Sequence, residues 1–292
     1  MSDSTIKKET IKIEPFDPSK MPTGCDSCPA HNAANLRRLG VDMSEWDYVV
    51  ALAGNPNVGK STVFNALTGL RQHTGNWPGK TVTRAEGGFE YAGARFKLVD
   101  LPGAYSLLAT SLDEEVARDF ILFGQPDVTI VVVDASRLER NLNLALQVLE
   151  ITDRVVVCLN LVDEARRHGL TVDERHLARR LGVPVVPTVA RSREGLDALL
   201  QAVNDVATGK IVCKPHRLRH ELPGMKQAAD KVEAELHALY PNLPNARWVA
   251  LRLLDGDEAI IQAMRRGELG DLSRSAPNSE AVNVIRLEAT PA

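Results

Sequence analysis

The clearest chemistry in the sequence lies in an eight-residue stretch, G-N-P-N-V-G-K-S, from Gly54 to Ser61. Its G-x-x-x-x-G-K-[ST] spacing is typical of a phosphate-binding loop. The two glycines let the backbone approach an anion closely, and the free N–H groups and dipole of the following helix favour negative charge. We expect Lys60 to reach the outer phosphates of a nucleotide and the Ser61 hydroxyl to bind Mg²⁺.

A carboxylate and a glycine follow a second apolar run in the stretch D-L-P-G, Asp100 to Gly103. At the end of a strand opposite the loop, Asp100 is expected to hold Mg²⁺ through water, and the Gly103 N–H is expected to meet a γ-phosphate. The alternative is an ordinary strand-to-turn sequence. The position of the stretch after a phosphate-binding loop favours the functional interpretation.

A third stretch, N-L-V-D from Asn160 to Asp163, selects the base. A carboxylate accepts from both the N1–H and the N2–H₂ groups of guanine, a pairing that adenine cannot offer, and Asn160 is expected to face the base at N7 and tie neighbouring loops together. The alternative is a pair of turn-forming residues at the end of a strand. The Ala190 N–H after the next strand is a weaker candidate donor to guanine O6.

The segment between the loop and Asp100, R-Q-H-T-G-N-W-P-G-K-T-V-T-R-A-E-G-G-F-E-Y, is rich in glycine and polar residues. This composition predicts a mobile switch that becomes ordered on the γ-phosphate and Mg²⁺. Thr81 or Thr83 is expected to supply the second hydroxyl that binds the metal.

Apolar runs alternate with helical patterns between residues 46 and 208, which predicts an α/β fold with a mainly parallel sheet flanked by helices. Residues 209–272 have helical periodicity, with Met225, Ala229, Val232, Leu236 and Leu239 on one face, and predict a small all-α subdomain. The predicted strands are 49–53, 96–100, 128–134, 155–160 and 183–188, with a hairpin at Ala92-Gly93. The predicted helices are 60–68, 113–123, 140–151, 173–181 and 195–206.

The composition is that of an ordinary globular protein: 44% of the 292 residues are hydrophobic, 25% are charged, and the net charge is −3. No apolar run reaches the roughly 18 residues of a membrane span, and the N-terminus lacks an apolar signal region, which favours a cytosolic chain. Residues 1–45 are interpreted as a mobile extension, and residues 273–292 as a tail or linker toward a membrane region.

Cys25, Cys28 and His31 in the extension have the spacing of metal ligands. A transition-metal site needs a fourth ligand and usually a second pair. A redox pair and an exposed turn without a cofactor therefore remain as alternatives.

The order of the motifs G-N-P-N-V-G-K-S, G-N-W-P-G-K-T-V, D-L-P-G-A-Y-S-L and N-L-V-D resembles the cytosolic G domain of the ferrous-iron transport protein B (FeoB) family. The resemblance covers about residues 48–205, and the helical segment after Lys210 stands where that family carries a domain that modulates nucleotide release. It implies a P-loop GTPase fold, slow hydrolysis of GTP to GDP, and Mg²⁺ as a cofactor. It also implies K⁺ activation through Asn57, because potassium-activated members carry an asparagine at that position.

Carried over to this chain, the resemblance makes Lys60, Asn57, Thr81 and Gly103 the catalytic residues. The metal ligands are Ser61, Thr81 and Asp100 for Mg²⁺ and Asn57 for K⁺. No glutamine follows Gly103, and Val189 stands where a serine is frequent. The nucleotide contacts are Gly54, Asn55, Pro56, Asn57, Val58, Gly59, Lys60, Ser61, Thr62, Gly79, Lys80, Thr81, Val82, Thr83, Asp100, Leu101, Pro102, Gly103, Asn160, Leu161, Val162, Asp163, Val189, Ala190 and Arg191.

The implied partner is a membrane-embedded transporter domain of the same full-length protein, which places this segment at the cytoplasmic face of a bacterial inner membrane. Small cytosolic regulatory partners and homo-oligomers are left open. An RNA- or ribosome-associated GTPase would share the G motifs, but from Ala207 onward 12 Lys+Arg face 11 Asp+Glu, so no basic appendage for nucleic acid is present. A general NTPase with relaxed base selectivity is the other alternative.

Overall fold

A computed structural model of the chain describes residues 36, 37, 39–69, 72–108, 111–217, 223–240, 243 and 245–265. Within those residues, seven strands form one sheet in the order β2-β3-β4-β1-β5-β6-β7. The strands are β1 (Tyr48–Gly54), β2 (Gln72–Asn76), β3 (Thr83–Tyr91), β4 (Ala94–Asp100), β5 (Val128–Asp134), β6 (Val155–Asn160) and β7 (Val185–Pro187).

Helices follow most of the strands, as the alternating pattern predicts. They are α1 (Lys60–Thr68), α2 (Leu112–Gly124), α3 (Leu138–Ile151), α4 (Val162–Arg167), α5 (Glu174–Leu181), α6 (Leu196–Ala207), α7 (Pro223–Leu239), α8 (Ala246–Leu254) and α9 (Glu258–Arg265). The short helix α4 was not predicted from the sequence, because six residues are too few to show helical periodicity.

The sheet is mainly parallel: β4, β1, β5, β6 and β7 run in one direction, and β2 and β3 are antiparallel to their neighbours. The predicted hairpin is confirmed, with Ala92 and Gly93 at positive φ between β3 and β4. Because parallel strands end at the same edge of a sheet, the residues that follow β1, β4, β6 and β7 meet there.

Successive residues of the buried strands point to opposite faces of the sheet, and each face is covered. Val49 and Ala51 belong to the apolar cluster that includes α2, α3 and the helices after residue 223. Val50 and Leu52 belong to the cluster that includes α1 and α6. The continuous apolar runs of the sequence are therefore explained by burial on both sides.

Two regions without a strong periodic pattern in the sequence have defined secondary structure or buried side chains in the structure. Much of the segment predicted to be a switch forms β2 (Gln72–Asn76) and β3 (Thr83–Tyr91), which pair from Gln72↔Gly87 to Asn76↔Thr83. Residues from 36 onward, in the predicted N-terminal extension, place Leu36 and Val41 in the core with 2% and 0% exposure. Both regions are stabilised by contacts between distant parts of the chain, which periodicity does not report.

The helices after residue 223 pack as their periodicity predicts, with Ala229, Val232 and Leu236 buried, although Met225 is half-exposed. Asp257 accepts hydrogen bonds from the N–H groups of Ala259 (3.1 Å) and Ile260 (3.2 Å) and thereby caps α9. Among the described residues, no helix is long and apolar enough to cross a bilayer.

Candidate functional site

The phosphate-binding loop connects β1 to α1 at the carboxyl edge of the sheet. Gly59 precedes α1 in a left-handed conformation (φ 80°), and Asn57 is also left-handed (φ 66°) and exposed. The first backbone bond within the helix is donated by Val63 to Gly59 O (3.0 Å), and no side chain caps the helix. The N–H groups of the first turn, residues 60–62, are thus available to an anion.

Lys60 and Asp100 form an ion pair across this loop. Lys60 Nζ lies 2.5 Å from Asp100 Oδ1, and both side chains are largely buried. Burial raises the pKa of the Asp100 carboxyl, and the positive charge of Lys60 opposes that shift. The pair joins the expected phosphate ligand to the expected Mg²⁺ ligand, while Ser61 lies exposed beside them in the first turn of α1.

The chain after Asp100 is held against the phosphate-binding loop. Ala104 N–H donates to Gly54 O (3.3 Å), and a Cβ added to Gly103 would lie 3.3 Å from Cγ of Pro56. Gln147 on α3 fixes the next residues, because its Oε1 accepts bonds from Leu107 N–H (2.6 Å) and from the Ser106 hydroxyl. Gln147 was not predicted from the sequence, since nothing near it in the chain marks it.

Asn160 joins three segments at the base-binding end of the site. Its Nδ2 donates to Val58 O of the phosphate-binding loop (3.1 Å), and its Oδ1 accepts from Ala190 N–H (3.1 Å). The close approach explains Gly59, where a Cβ would lie 2.5 Å from Asn160 Nδ2. The Ala190 N–H, expected to meet guanine O6, is therefore already bonded to Asn160.

Asp163 lies in the first turn of α4 with one oxygen paired and one unpaired. Oδ2 accepts from Arg167 Nη2 at 2.8 Å, whereas Oδ1 is buried and has no hydrogen-bond partner among the described residues. A buried acceptor without a donor is costly, so this oxygen is suited to a ligand that brings an N–H group. We therefore expect this oxygen to face the base of a nucleotide whose phosphates lie at the start of α1.

The loop between β2 and β3, which the sequence predicts to be a switch and which we call the switch loop, contacts α2. Trp77 is buried with its ring edge against Phe120, at 5.4 Å between ring centroids. Lys80 Nζ lies 3.1 Å from Glu115 and 3.7 Å from Asp119, both on α2. Lys80, predicted among the nucleotide contacts, thus has carboxylate partners on α2. Thr81 is exposed next to it.

The remaining predicted contacts lie along the same loops. Asn55 is buried, and neither polar atom of its side chain has a hydrogen-bond partner among the described residues. Val189 N–H donates to Glu194 O (3.0 Å), and Arg191 is exposed in a short 3₁₀ turn. The others are placed as follows: Thr62 in the first turn of α1; Gly79, Val82 and Thr83 between or at the ends of β2 and β3; Leu101 and Pro102 after β4; Leu161 and Val162 at the start of α4.

Thr188 is a further residue of the base-binding end that the sequence analysis missed. Its buried hydroxyl donates to Asn160 Oδ1 (3.3 Å) and lies 3.2 Å from Cys158 Sγ. Burial raises the pKa of Cys158 to about 12, so this thiol stays protonated at neutral pH. The one signal for Thr188 in the sequence was its position two residues before Ala190. Its role depends on a contact with Asn160 on the neighbouring strand, which the sequence does not show.

We expect Thr188→Val to weaken guanine-nucleotide binding by roughly 2- to 10-fold, the value of one net hydrogen bond, because Asn160 loses a donor that orients it. Thr188→Ser should bind like the wild type. Thr129→Val is the matched control, because Thr129 is equally buried and its hydroxyl has no partner among the described residues. Titration with fluorescent GDP measures the effect; equal affinities for Thr188→Val and Thr129→Val would contradict it.

The expected transition-metal ligands Cys25 and Cys28, with His31, lie outside the described residues. Within the described part of the chain, no three His, Cys, Asp or Glu side chains gather as a metal-binding group.

Comparison with known proteins identifies two matching families along the chain. The family described as Ferrous iron transport protein B matches residues 48–203, and the FeoB cytosolic helical domain matches residues 223–287. The Fe(2+) transporter FeoB of Shigella flexneri is 42% identical over 212 residues, which is 71% of this chain and 27% of that protein. The chain therefore spans about a quarter of the length of the curated relatives that it matches.

Solved structures of cytosolic FeoB domains share the fold. The cytosolic domain of the T. maritima FeoB iron transporter in apo form is 37% identical, with a TM-score of 0.68 over 82% of this chain and 92% of that one. Its GMPPNP form has 36% identity and a TM-score of 0.67, over 82% and 92%. The cytosolic domain of L. pneumophila FeoB has 32% identity and a TM-score of 0.64, over 82% and 93%.

Proposed function

This chain belongs to the ferrous iron transport protein B family, and from that premise we propose that it is a GTP-binding and GTP-hydrolysing regulatory region of a bacterial ferrous-iron transporter. The base-reading pair carries the proposal: Asn160 is bonded to the phosphate-binding loop, and Asp163 keeps Oδ1 buried without a partner among the described residues. A carboxylate placed there accepts from guanine N1–H and N2–H₂, and adenine offers no equivalent donors.

Lys60 and the N–H groups of the first turn of α1 bind the β- and γ-phosphates. Ser61 and Asp100 hold Mg²⁺, joined by Thr81 from the switch loop; when bound, the ion neutralises charge on the phosphate oxygens. Because Lys60 and Asp100 are paired with each other, nucleotide binding exchanges this contact for one between Lys60 and phosphate. Gly103 presents its N–H to the γ-phosphate.

Asn57 holds K⁺, which when bound supplies positive charge to the phosphoryl group being transferred. The exposed side chain of Asn57 at the mouth of the loop supports this role. Ala104 and Tyr105 follow Gly103, and neither offers the side-chain amide that positions water in many GTPases. Intrinsic hydrolysis is therefore slow.

Residues 46–208 act as the G domain and residues 209–272 as a helical subdomain that modulates nucleotide release. The partner is a membrane-embedded transporter domain of the same protein, at the cytoplasmic face of the bacterial inner membrane. The two switches, around Thr81 and around Gly103, couple the nucleotide state to iron uptake. The similarity to FeoB transporters, of whose length this chain covers 27%, supports that arrangement.

The test is Mg²⁺-dependent hydrolysis of GTP and ATP in K⁺ and in Na⁺ buffer, with Asn57→Ala and Asn57→Gly as variants. We expect a preference for GTP and a faster rate in K⁺ in the wild type, and no difference between the two cations in either variant. The glycine variant is needed because Asn57 has a positive φ, which alanine tolerates poorly.

Each outcome bears on a separate part of the proposal. Rates that are indifferent to the cation in the wild type would remove Asn57 from the mechanism and leave a GTPase. Equal use of ATP would mean that the pocket near Val189 accepts either base, and the protein would be a general NTPase.

A further inference from the structure

The residues before β1 are built into the G domain although they precede the matched family region, which starts at residue 48. We call residues 36, 37 and 39–47 the N-terminal segment. Leu36 and Val41 of this segment are fully buried in the same apolar cluster as Trp77 of the switch loop and Phe120 of α2. The segment therefore shares a core with the switch.

Arg84 at the start of β3 joins the segment to the switch loop. Its Nη1 donates to Leu39 O and its Nη2 to Gly40 O, each at 2.8 Å. The same guanidinium lies 5.3 Å from the centre of the Trp77 ring, in cation–π distance. One side chain thus holds the backbone of the segment and the buried anchor of the switch loop at once.

Gly40 brings the segment into direct contact with the switch loop. It has a φ of +81°, and a Cβ added to it would lie 2.5 Å from Arg84 Nη1 and 2.9 Å from Pro78 Cγ. A side chain at this position would therefore push against both groups. If the loop moved, the close contact of Gly40 with Arg84 and Pro78 would be lost.

A second set of contacts extends the docking along β3. Lys97 Nζ donates to Asp42 O (2.8 Å) and pairs with Glu86 (2.7 Å), which also pairs with Arg84. The Trp46 ring covers Gly88, where a Cβ would lie 2.0 Å from the ring. The segment therefore covers β3 from its switch end to its middle.

We propose that the N-terminal segment is an intramolecular clasp on the switch hairpin β2–β3, and that its docking is coupled to nucleotide release. The surface it occupies is the β3 face formed by Arg84, Glu86 and Gly88 with the adjoining loop at Pro78. The argument is one of thermodynamic linkage: a segment that binds one position of the hairpin more tightly than another stabilises that position. Thr81 lies in the loop of this hairpin, so a change in the hairpin position also moves Thr81. The inference rests on the proposed GTP binding.

Gly40→Ala tests the clasp in the full chain, with Gly209→Ala as the matched control. Gly209 has a similar φ of +73° but nothing within 4 Å of an added Cβ, so it carries the same backbone strain without the contact. We expect the release rate of a fluorescent GDP analogue from Gly40→Ala to differ from that of the control by at least about 5-fold, the lower end of typical coupling between sites. Amide hydrogen exchange should be faster in residues 36–47 and 72–84.

Arg84→Gln is the second variant, because it removes both carbonyl bonds without adding strain. If exchange in residues 36–47 rises in either variant while GDP release stays at the control rate, the proposed coupling between docking of the segment and nucleotide release is wrong. If exchange is unchanged in both variants, the docking itself is wrong. A wild-type chain that binds no guanine nucleotide would instead overturn the proposed function, and the exchange measurement would still report on the clasp.

The converse effect is required by reciprocity. In the wild type, a non-hydrolysable GTP analogue and GDP should give different exchange rates in residues 36–47, although these residues lie outside the phosphate-binding loop. Identical rates with the two nucleotides would contradict a clasp that responds to the switch.

Discussion

Asp163→Asn is expected to transfer the preference of the protein from guanine to xanthine nucleotides. The Asp163 carboxylate offers two acceptors, which match the two donors of guanine, N1–H and N2–H₂. An asparagine offers one acceptor and one donor, and the donor matches the C2 carbonyl of xanthine. Sites that hydrogen-bond a substrate reject analogues that leave a buried polar group unpaired by several orders of magnitude, so we expect GTP affinity to fall roughly 1,000-fold.

The expected loss of GTP affinity depends on one oxygen atom of the Asp163 side chain. Asp163 Oδ2 already accepts from Arg167, and Oδ1 is the buried atom without a partner among the described residues. Competition between fluorescent GTP and XTP measures the change. Asp197→Asn is the control, because Asp197 also lies in the first turn of a helix, α6, and loses the same charge near a helix dipole. A GTP preference that survives in Asp163→Asn would mean that Asp163 does not read the base.

The candidate site residues that could be predicted from the sequence are those that stand within short, recognisable motifs. The phosphate-binding loop, Asp100 and the pair Asn160 and Asp163 all stand at strand ends within fixed short spacings, and the parallel sheet brings them to one edge. Thr188 was missed because its role comes from a hydrogen bond to Asn160, 28 residues away in the chain. The bond from Ala190 N–H to Asn160 was missed for the same reason.

The hairpin of β2 and β3 shows a second reason why part of the fold could not be predicted from the sequence. Strand β2, with the sequence Q-H-T-G-N, is at the edge of the sheet, and its residues from His73 to Asn76 are exposed. An exposed edge strand has no apolar alternation, so its sequence looks like a loop, and its pairing is visible only with β3 in place. The N-terminal segment escaped prediction similarly, because two buried residues, Leu36 and Val41, are too few to form a pattern.

A buried arginine links the switch region to the helical subdomain. Arg118 on α2 is 1% exposed and bonds Asp119 Oδ1 through Nε (3.0 Å) and Nη2 (2.8 Å). Its Nη1 lies 3.7 Å from Asp257 Oδ2, in the cap of α9. Asp119 also lies 3.7 Å from Lys80 of the switch loop. Four alternating charges therefore run from the switch loop to the helical subdomain.

Burial raises the pKa of Asp119, and the charges of Arg118 and Lys80 oppose that shift. The Asp119 carboxyl thus has two cationic neighbours, one on its own helix and one on the switch loop. A movement of Lys80 away from α2 would leave Arg118 as the main partner of Asp119. We expect the contact between Arg118 and Asp257 to change in strength with such a movement, and the stability and release measurements below test this.

Arg118→Met is expected to lower the free energy of unfolding by about 3–5 kcal/mol, because it leaves Asp119 with Lys80 alone and Asp257 without a cationic partner among the described residues. Asp257→Asn separates the ion pair from the cap: its amide oxygen still accepts from Ala259 and Ile260, but the charge facing Arg118 is lost. We expect it to cost about 1–3 kcal/mol, less than Arg118→Met because Asp119 remains beside the arginine. Urea unfolding followed by circular dichroism measures both values.

Asp173→Asn is the control for the cap, because Asp173 accepts from His176 N–H at the start of α5 and forms no ion pair among the described residues. If Asp257→Asn and Asp173→Asn destabilise equally, the pair with Arg118 contributes nothing and the cap explains the effect. If Asp257→Asn is the more costly and also changes the release rate of GDP, the same contact that stabilises the fold carries the signal. A stability loss without a change in release would make Arg118 a structural link between the two domains and no more.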